Sequence, residues 1–219
     1  MPKSPCAVFI DLDDTLTDRT RAFATWASAF LAAHGAKPDL LSAVIQYDNE
    51  GRRPREEFFA GLSGLLGITF DTQAALVTYR ESTGNPPATD GVEASLVSLR
   101  NRHATLCILS NGVTEVQTRK LQSTGLIGWF DHVIVSDQVG YSKPSFQIYE
   151  YARGLVDPRS DCWMVGDHLV NDISGAKLPG FQTAWVSRGR TDAEATRHAD
   201  VVRASASECL DEIARRYPS

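Results

Sequence analysis

Five short apolar runs, spread along the whole chain, constrain its fold more than any other feature. Residues 6–10, 104–109, 132–135, 162–165 and 183–186 are short and rich in strand-forming side chains, and each reads as a buried strand. Val92, Leu96 and Leu99 recur at helical spacing before the second run, as do Phe146, Tyr149 and Ala152 before the fourth. Strands that alternate with helices of this length imply an α/β fold: a doubly wound, Rossmann-like parallel sheet with helices on both faces. Val201 and Val202 are expected to form a last edge strand, and Ser205 with Glu208 spells a capping box for a final helix.

One stretch breaks the alternation. Residues 18–83 contain no convincing strand and carry three helical stripes instead. These are Phe23, Trp26, Phe30 and Leu31; then Leu41, Val44 and Ile45; then Phe58, Phe59, Leu62, Leu65 and Leu66. They predict the core of a helical bundle. Gly84-Asn85-Pro86-Pro87 then punctuates the return to the α/β pattern. The expected organisation is therefore a core of residues 1–17 and 88–219, interrupted after its first strand by a helical insertion, 18–87. Hinges are expected at 17–19 and 84–90.

Composition removes several classes of function. A hydrophobic fraction of 42% with 22% charged residues is that of a globular chain of 219 residues, not a disordered one. Twenty-seven acids against 22 bases argue against wrapping a nucleic-acid polymer. No apolar run approaches the roughly 18 residues of a membrane span. Residues 1–10 bear one lysine and a five-residue apolar run that ends at Asp11, unlike a secretory leader, so a cytoplasmic protein is expected. Cys6, Cys107, Cys162 and Cys209 form no CxxC pair and read as small buried hydrophobes in a reducing compartment.

Ligands of open parallel sheets bind beyond the carboxyl ends of the strands, where the strand order reverses. Asp11 and Asp13 follow the first strand, Ser110-Asn111-Gly112 the second, and Asp167, Asn171 and Asp172 the fourth. Lys143 lies in the loop before a helix expected to start near Pro144. Carboxylates gathered at one rim repel unless something positive sits among them, and a hard divalent ion with oxygen ligands meets that need. Taken singly, each aspartate reads more readily as a turn or cap residue than as a functional one.

The segments Asp11-Leu12-Asp13-Asp14-Thr15-Leu16, Ser110-Asn111-Gly112, Lys143-Pro144 and Gly166-Asp167 with Asn171-Asp172 resemble the four ordered motifs of the haloacid dehalogenase (HAD) superfamily. The insertion resembles the C1 cap of that family. The resemblance implies Asp11 as nucleophile and Asp13 as the acid and base that serves the leaving oxygen and then water. It implies Thr15 as an orienter of Asp13, with Ser110 and its neighbours Asn111 and Gly112 around the phosphoryl group. Lys143 is implied as the neutralising cation. Mg²⁺ is implied at Asp11, Asp167 and the Leu12 or Asp13 carbonyl, with Asp172 as a ligand through water or an anchor for Lys143. Asp14 reads as structural, and His168 is given no role.

The resemblance points to a phosphatase acting on a small phosphomonoester, such as a nucleotide or sugar phosphate, in the branch that includes nucleotide 5′-phosphatases. The alternatives are a phosphomutase, a 2-haloacid dehalogenase, which the presence of Asp13 disfavours, and a non-catalytic binding protein. No nucleic-acid or membrane partner is expected, and the chain is expected to be a monomer or weak homodimer. Arg52, Arg53 and Arg55 form its densest basic cluster; with Arg19 and Arg21 they either meet a second anionic group on the substrate or form a solvated helix entry at Pro54.

Overall fold

A computed structural model describes residues 5–51 and 53–217. In chain order, β1 (Cys6–Ile10) is followed by α1 (Arg19–Ala33), α2 (Leu41–Asp48), α3 (Arg55–Leu66) and α4 (Thr72–Thr83). Then α5 (Val92–Arg100), β2 (Thr105–Ser110), α6 (Thr114–Ser123), β3 (His132–Val135), α7 (Ser136–Val139) and α8 (Phe146–Arg153) alternate. The rest comprises β4 (Asp161–Gly166), α9 (Gly175–Lys177), β5 (Gln182–Val186), α10 (Ala193–His198), β6 (Val201–Arg203) and α11 (Ala206–Arg216). Two compact units result, one of residues 1–17 and 88–219 and one of residues 18–87. The two chain crossings run side by side: Thr17 bridges Ala88, and the Asp18 N–H donates to the Pro87 carbonyl at 2.9 Å.

The larger unit is a six-stranded sheet in the order β3-β2-β1-β4-β5-β6, every pair parallel. Alternate residues of a strand face opposite sides. Val8 and Ile10 of β1 therefore join Leu96 and Leu99 of α5 and Leu210 and Ile213 of α11 in one core. Ala7 and Phe9 join Ile148, Tyr149 and Ala152 of α8 and Phe181 in the other. Both faces of the sheet are buried, which is why its strands read as continuous apolar runs. Phe146, expected on the inward stripe of α8, is exposed because it is the helix's first residue; Ile148 takes the inward place. α8 also starts two residues beyond Pro144, after the cis Lys143–Pro144 bond. Ser205 caps α11 with the full reciprocal box to Glu208.

Among the described residues, every regular element of the smaller unit is a helix. Trp26 and Phe58 sit in its core with Phe23, Phe30, Phe59 and Leu62, and the Trp26 indole N–H donates to Thr78 Oγ1 at 3.2 Å. Leu65, expected in this core, lies on the outer side of α3 and is exposed. The buried Asp48 accepts from Arg19 at 2.8 Å, Arg55 at 2.7 Å and the Gly51 N–H at 2.8 Å. All four cysteines are buried and free, and burial pushes the thiols of Cys6, Cys107 and Cys209 up to about 12. Among the described residues no helix is long and apolar enough to cross a membrane.

Candidate active site

Strand order reverses at β1, so the carboxyl ends of β2, β1 and β4 stand together and deliver Ser110, Asp11 and Asp167 to one rim. Asp11 is still held in register, its N–H donating to the Val165 carbonyl at 2.9 Å. The chain then turns sharply, with Asp14 in the left-handed region at φ 61°. The turn consumes the Leu12 carbonyl, which accepts from the N–H groups of Leu16 (3.0 Å) and Thr17 (2.9 Å) and from Thr17 Oγ1 (3.1 Å). Of the two carbonyls expected to serve a metal, that of Leu12 is therefore committed elsewhere.

The Lys143 ammonium is buried, 2.6 Å from Asp11 Oδ1 and 2.7 Å from Asp172 Oδ1. Its backbone is clamped by one side chain: Asn111 Nδ2 donates to the Lys143 carbonyl, and the Lys143 N–H donates to Asn111 Oδ1, both at 2.8 Å. Asp172 lies in a π-helical turn, Leu169–Ser174, and its second oxygen accepts from the His168 N–H at 3.0 Å. Tyr149 Oη donates to the Asn171 carbonyl of the same turn. Asp172 folds back so closely over the end of β4 that a Cβ on Gly166 would stand 2.3 Å from its carboxylate. Only glycine fits there.

Oxygens of Asp11, Asp167 and Asp172 lie within 4.8 Å of one another. Burial pushes the Asp11 carboxyl up to about 7, with Lys143 opposing the rise and Asp172 adding to it. Burial, then the charges of Asp11 and Asp172, push Asp167 up to about 8, against the pull of Arg190, which reaches its Oδ2 at 3.1 Å. Burial works against the charge on Lys143, but Asp11 and Asp172 outweigh it and hold the ammonium above its ordinary value. Three crowded carboxylates with a single fully buried ammonium among them suit a hard divalent cation. Asp172 pairs with Lys143 and is also one of the three carboxylates close enough to share a cation. Asp13 stands apart from the triad: its carboxylate meets Lys120 at 2.7 and 2.8 Å and Gln117 at 3.1 Å. Ser110 Oγ is buried and accepts from Gln117 Nε2 at 2.7 Å.

Several expected roles change. Thr15 does not orient Asp13, since its buried Oγ1 has no hydrogen-bond partner; its carbonyl instead accepts from Thr89 Oγ1 at 2.9 Å. The Asn111 side chain is engaged with the backbone of Lys143, and the Gly112 N–H donates to Ser136 Oγ at 2.9 Å. His168 caps the π-turn through Nδ1, which accepts from the Val170 and Asn171 N–H groups at 3.1 Å. Asp14 is buried and paired with Arg188. In the basic cluster, Arg19 and Arg55 bind Asp48 internally, and Arg53 stacks 4.0 Å over the Tyr47 ring while donating to its carbonyl at 2.7 Å. Pro54 caps α3 rather than occupying its first turn, and Arg52 lies outside the described residues. Gln117, Lys120, Tyr149 and Arg190 reach the site with no motif to announce them.

Residues 7–179 match a family described as haloacid dehalogenase-like hydrolases. The chain is 28% identical over 194 residues to glyceraldehyde 3-phosphate phosphatase of Pyrococcus abyssi, covering 84% of this chain and 82% of that one. It is 36% identical over 96 residues to the pyrimidine 5′-nucleotidase YjjG of Escherichia coli, 42% of each. Several of the stronger matches to characterised relatives are of this partial kind, spanning less than half of the relative's length. Among solved structures, the putative HAD-hydrolase YfnB of Bacillus subtilis, bound to magnesium, superposes with a TM-score of 0.78 at 23% identity, over 97% of this chain and all of that one. That likeness extends to the parallel sheet and the helical cap inserted after its first strand.

Proposed function

This chain belongs to the haloacid dehalogenase-like hydrolases, and from that premise we propose that it is a magnesium-dependent phosphatase of a small phosphomonoester, such as a nucleotide or sugar phosphate. The observation that carries the reading is the buried Lys143 ammonium held between Asp11 and Asp172, with Asp167 alongside and Ser110 at the neighbouring strand end. The relatives named as phosphatases and nucleotidases support the same reaction class.

In this mechanism an Asp11 oxygen attacks phosphorus, and the bond from phosphorus to the ester oxygen breaks. Asp13 gives that oxygen its proton, so the alcohol leaves neutral and Asp11 carries the phosphoryl group. Water then attacks phosphorus, Asp13 takes its proton, and the bond to Asp11 breaks to release inorganic phosphate. The Ser110 hydroxyl donates to a phosphoryl oxygen, and Lys143 offsets charge on both Asp11 and the phosphate. A divalent cation held by Asp11, Asp167, Asp172 and the Asp13 carbonyl would supply the charge that lets an anionic nucleophile meet an anionic ester. Asn111 acts at one remove, by fixing the backbone of Lys143.

The test is phosphate release from 4-nitrophenyl phosphate and a panel of nucleotides and sugar phosphates, with Mg²⁺ and with EDTA. Metal-dependent turnover by the wild type, absent from Asp11→Asn on every substrate, is the expected result. Turnover retained by folded, uncontaminated Asp11→Asn protein removes the nucleophile from the mechanism.

A further inference from the structure

The inward face of α6 is polar, which is unusual for a helix packed on a sheet. Its buried residues are Gln117, Lys120 and Leu121. Lysine is almost never buried unless paired. The Lys120 ammonium donates to both oxygens of Asp13, at 2.8 and 2.7 Å, and to no other side chain among the described residues. Gln117, three residues earlier, lies on the same face. Its Nε2 is within reach of Asp13 Oδ2 at 3.1 Å, Ser110 Oγ at 2.7 Å and the Asn111 carbonyl at 3.2 Å. A carboxylate and a carbonyl can only accept, so the nitrogen of the amide must face them. Its donation to Ser110 Oγ then occupies a lone pair there, and the serine's own proton points at the Asn111 carbonyl, 3.3 Å away.

We infer that Lys120 and Gln117 are positioning residues that fix the Asp13 carboxylate beside the Ser110 hydroxyl, at the point where proton exchange with the attacking water is required. The inference rests on the phosphatase reading above. Asp13 follows a strand end in a tight turn and is half-buried. A two-oxygen grip by Lys120 fixes the plane of the carboxylate, and the Gln117 amide ties it to the hydroxyl assigned to the phosphoryl group. Misplacing a reacting group by about 1 Å costs on the order of 100-fold in rate.

The two half-reactions separate this role from a structural one. With 4-nitrophenyl phosphate the leaving group departs as a stable anion and needs no proton, so phosphorylation of Asp11 proceeds without Asp13. Hydrolysis of the phosphorylated enzyme still needs Asp13 to take a proton from water. For Lys120→Met in saturating Mg²⁺, a stopped-flow burst of nitrophenolate is therefore expected, followed by a kcat lowered about 10- to 100-fold. kcat/KM, which reports the first half-reaction, stays near the wild-type value. Lys120→Arg, which retains a two-oxygen donor, restores most of kcat. Gln117→Met also unhooks Ser110 Oγ and is expected to lower kcat/KM as well as kcat, so Lys120→Gln, with the same split expected, serves if Lys120→Met does not fold. A kcat equal to wild type, or a parallel fall of kcat and kcat/KM without a burst, overturns the inference. A wild type that turns over no phosphate ester instead refutes the underlying phosphatase reading, a result distinguishable from an active wild type with unaffected variants.

Discussion

Replacing Lys143 with methionine keeps most of the side-chain stem and deletes the charge 2.6 Å from Asp11 and 2.7 Å from Asp172. Both carboxylates are buried, and removing one partner of a buried ion pair costs on the order of 3–5 kcal/mol. Carboxylates avoid part of that cost by binding a proton. Burial pushes Asp11 up to about 7 even with the ammonium opposing the rise, so this carboxyl resists ionisation. Deleting Lys143 removes the strongest opposing influence and drives Asp11 higher still. For an acid whose folded pKa exceeds its unfolded one, the contribution to stability is fully present below the unfolded value and is lost as pH rises through the folded value. The deficit of Lys143→Met should therefore be small at pH 4.5 to 5 and grow to about 3–5 kcal/mol by pH 8.5. A domain has only about 5–15 kcal/mol in total, so the change is large. The assay is urea unfolding of both proteins in EDTA at pH 5, 7 and 8.5, followed by tryptophan fluorescence and circular dichroism. A deficit independent of pH, or a variant as stable as wild type at pH 8.5, would refute the reasoning. Magnesium in excess should recover part of the loss at the higher pH only.

Two further outcomes are expected. Asp48→Ala leaves the buried Arg19 without the carboxylate it meets at 2.8 Å, and should destabilise the helical unit by about 3–5 kcal/mol, read as a lower urea midpoint. Asn111→Leu removes both bonds to the Lys143 backbone and should cost about 1–3 kcal/mol in urea unfolding together with a fall in kcat, since the ammonium loses its clamp.

The strands were legible because a sheet buried on both faces leaves uninterrupted apolar runs, and β3 begins and ends where its run does. The rim was legible for a related reason: Asp11, Ser110 and Asp167 follow those runs directly, so locating a strand end located a site residue. What stayed hidden depends on partners distant in the chain. α6 carries only Val116 and Leu121, five residues apart, so nothing in its periodicity marked an inward face, although a sheet-packed helix that buries Leu121 alone of these has to bury something else. The basic cluster showed its charge but not the buried Asp48 that absorbs Arg19 and Arg55. Thr15 beside Asp13 suggested a bond that the turn geometry does not make, because the chain there folds around the Leu12 carbonyl.

The central position of β1 has a consequence for the order in which the protein is made. β1 leaves the ribosome before the other strands of the sheet, yet one of its edges stays uncovered until Ser110 has been synthesised, and the other until Gly166. The helical insertion follows at once and has a core drawn from its own residues, so it can form while β1 still waits. Lys143, clamped to Asn111 at the end of β2, is made before β4, whereas Asp172 follows β4 and comes last of the site residues. A chain that stops before Asp172 therefore cannot present the assembled carboxylate cluster. A shortened product that stops before β4 carries Asp11 on an unpaired apolar strand, a species for chaperones and proteases rather than a slower form of the enzyme.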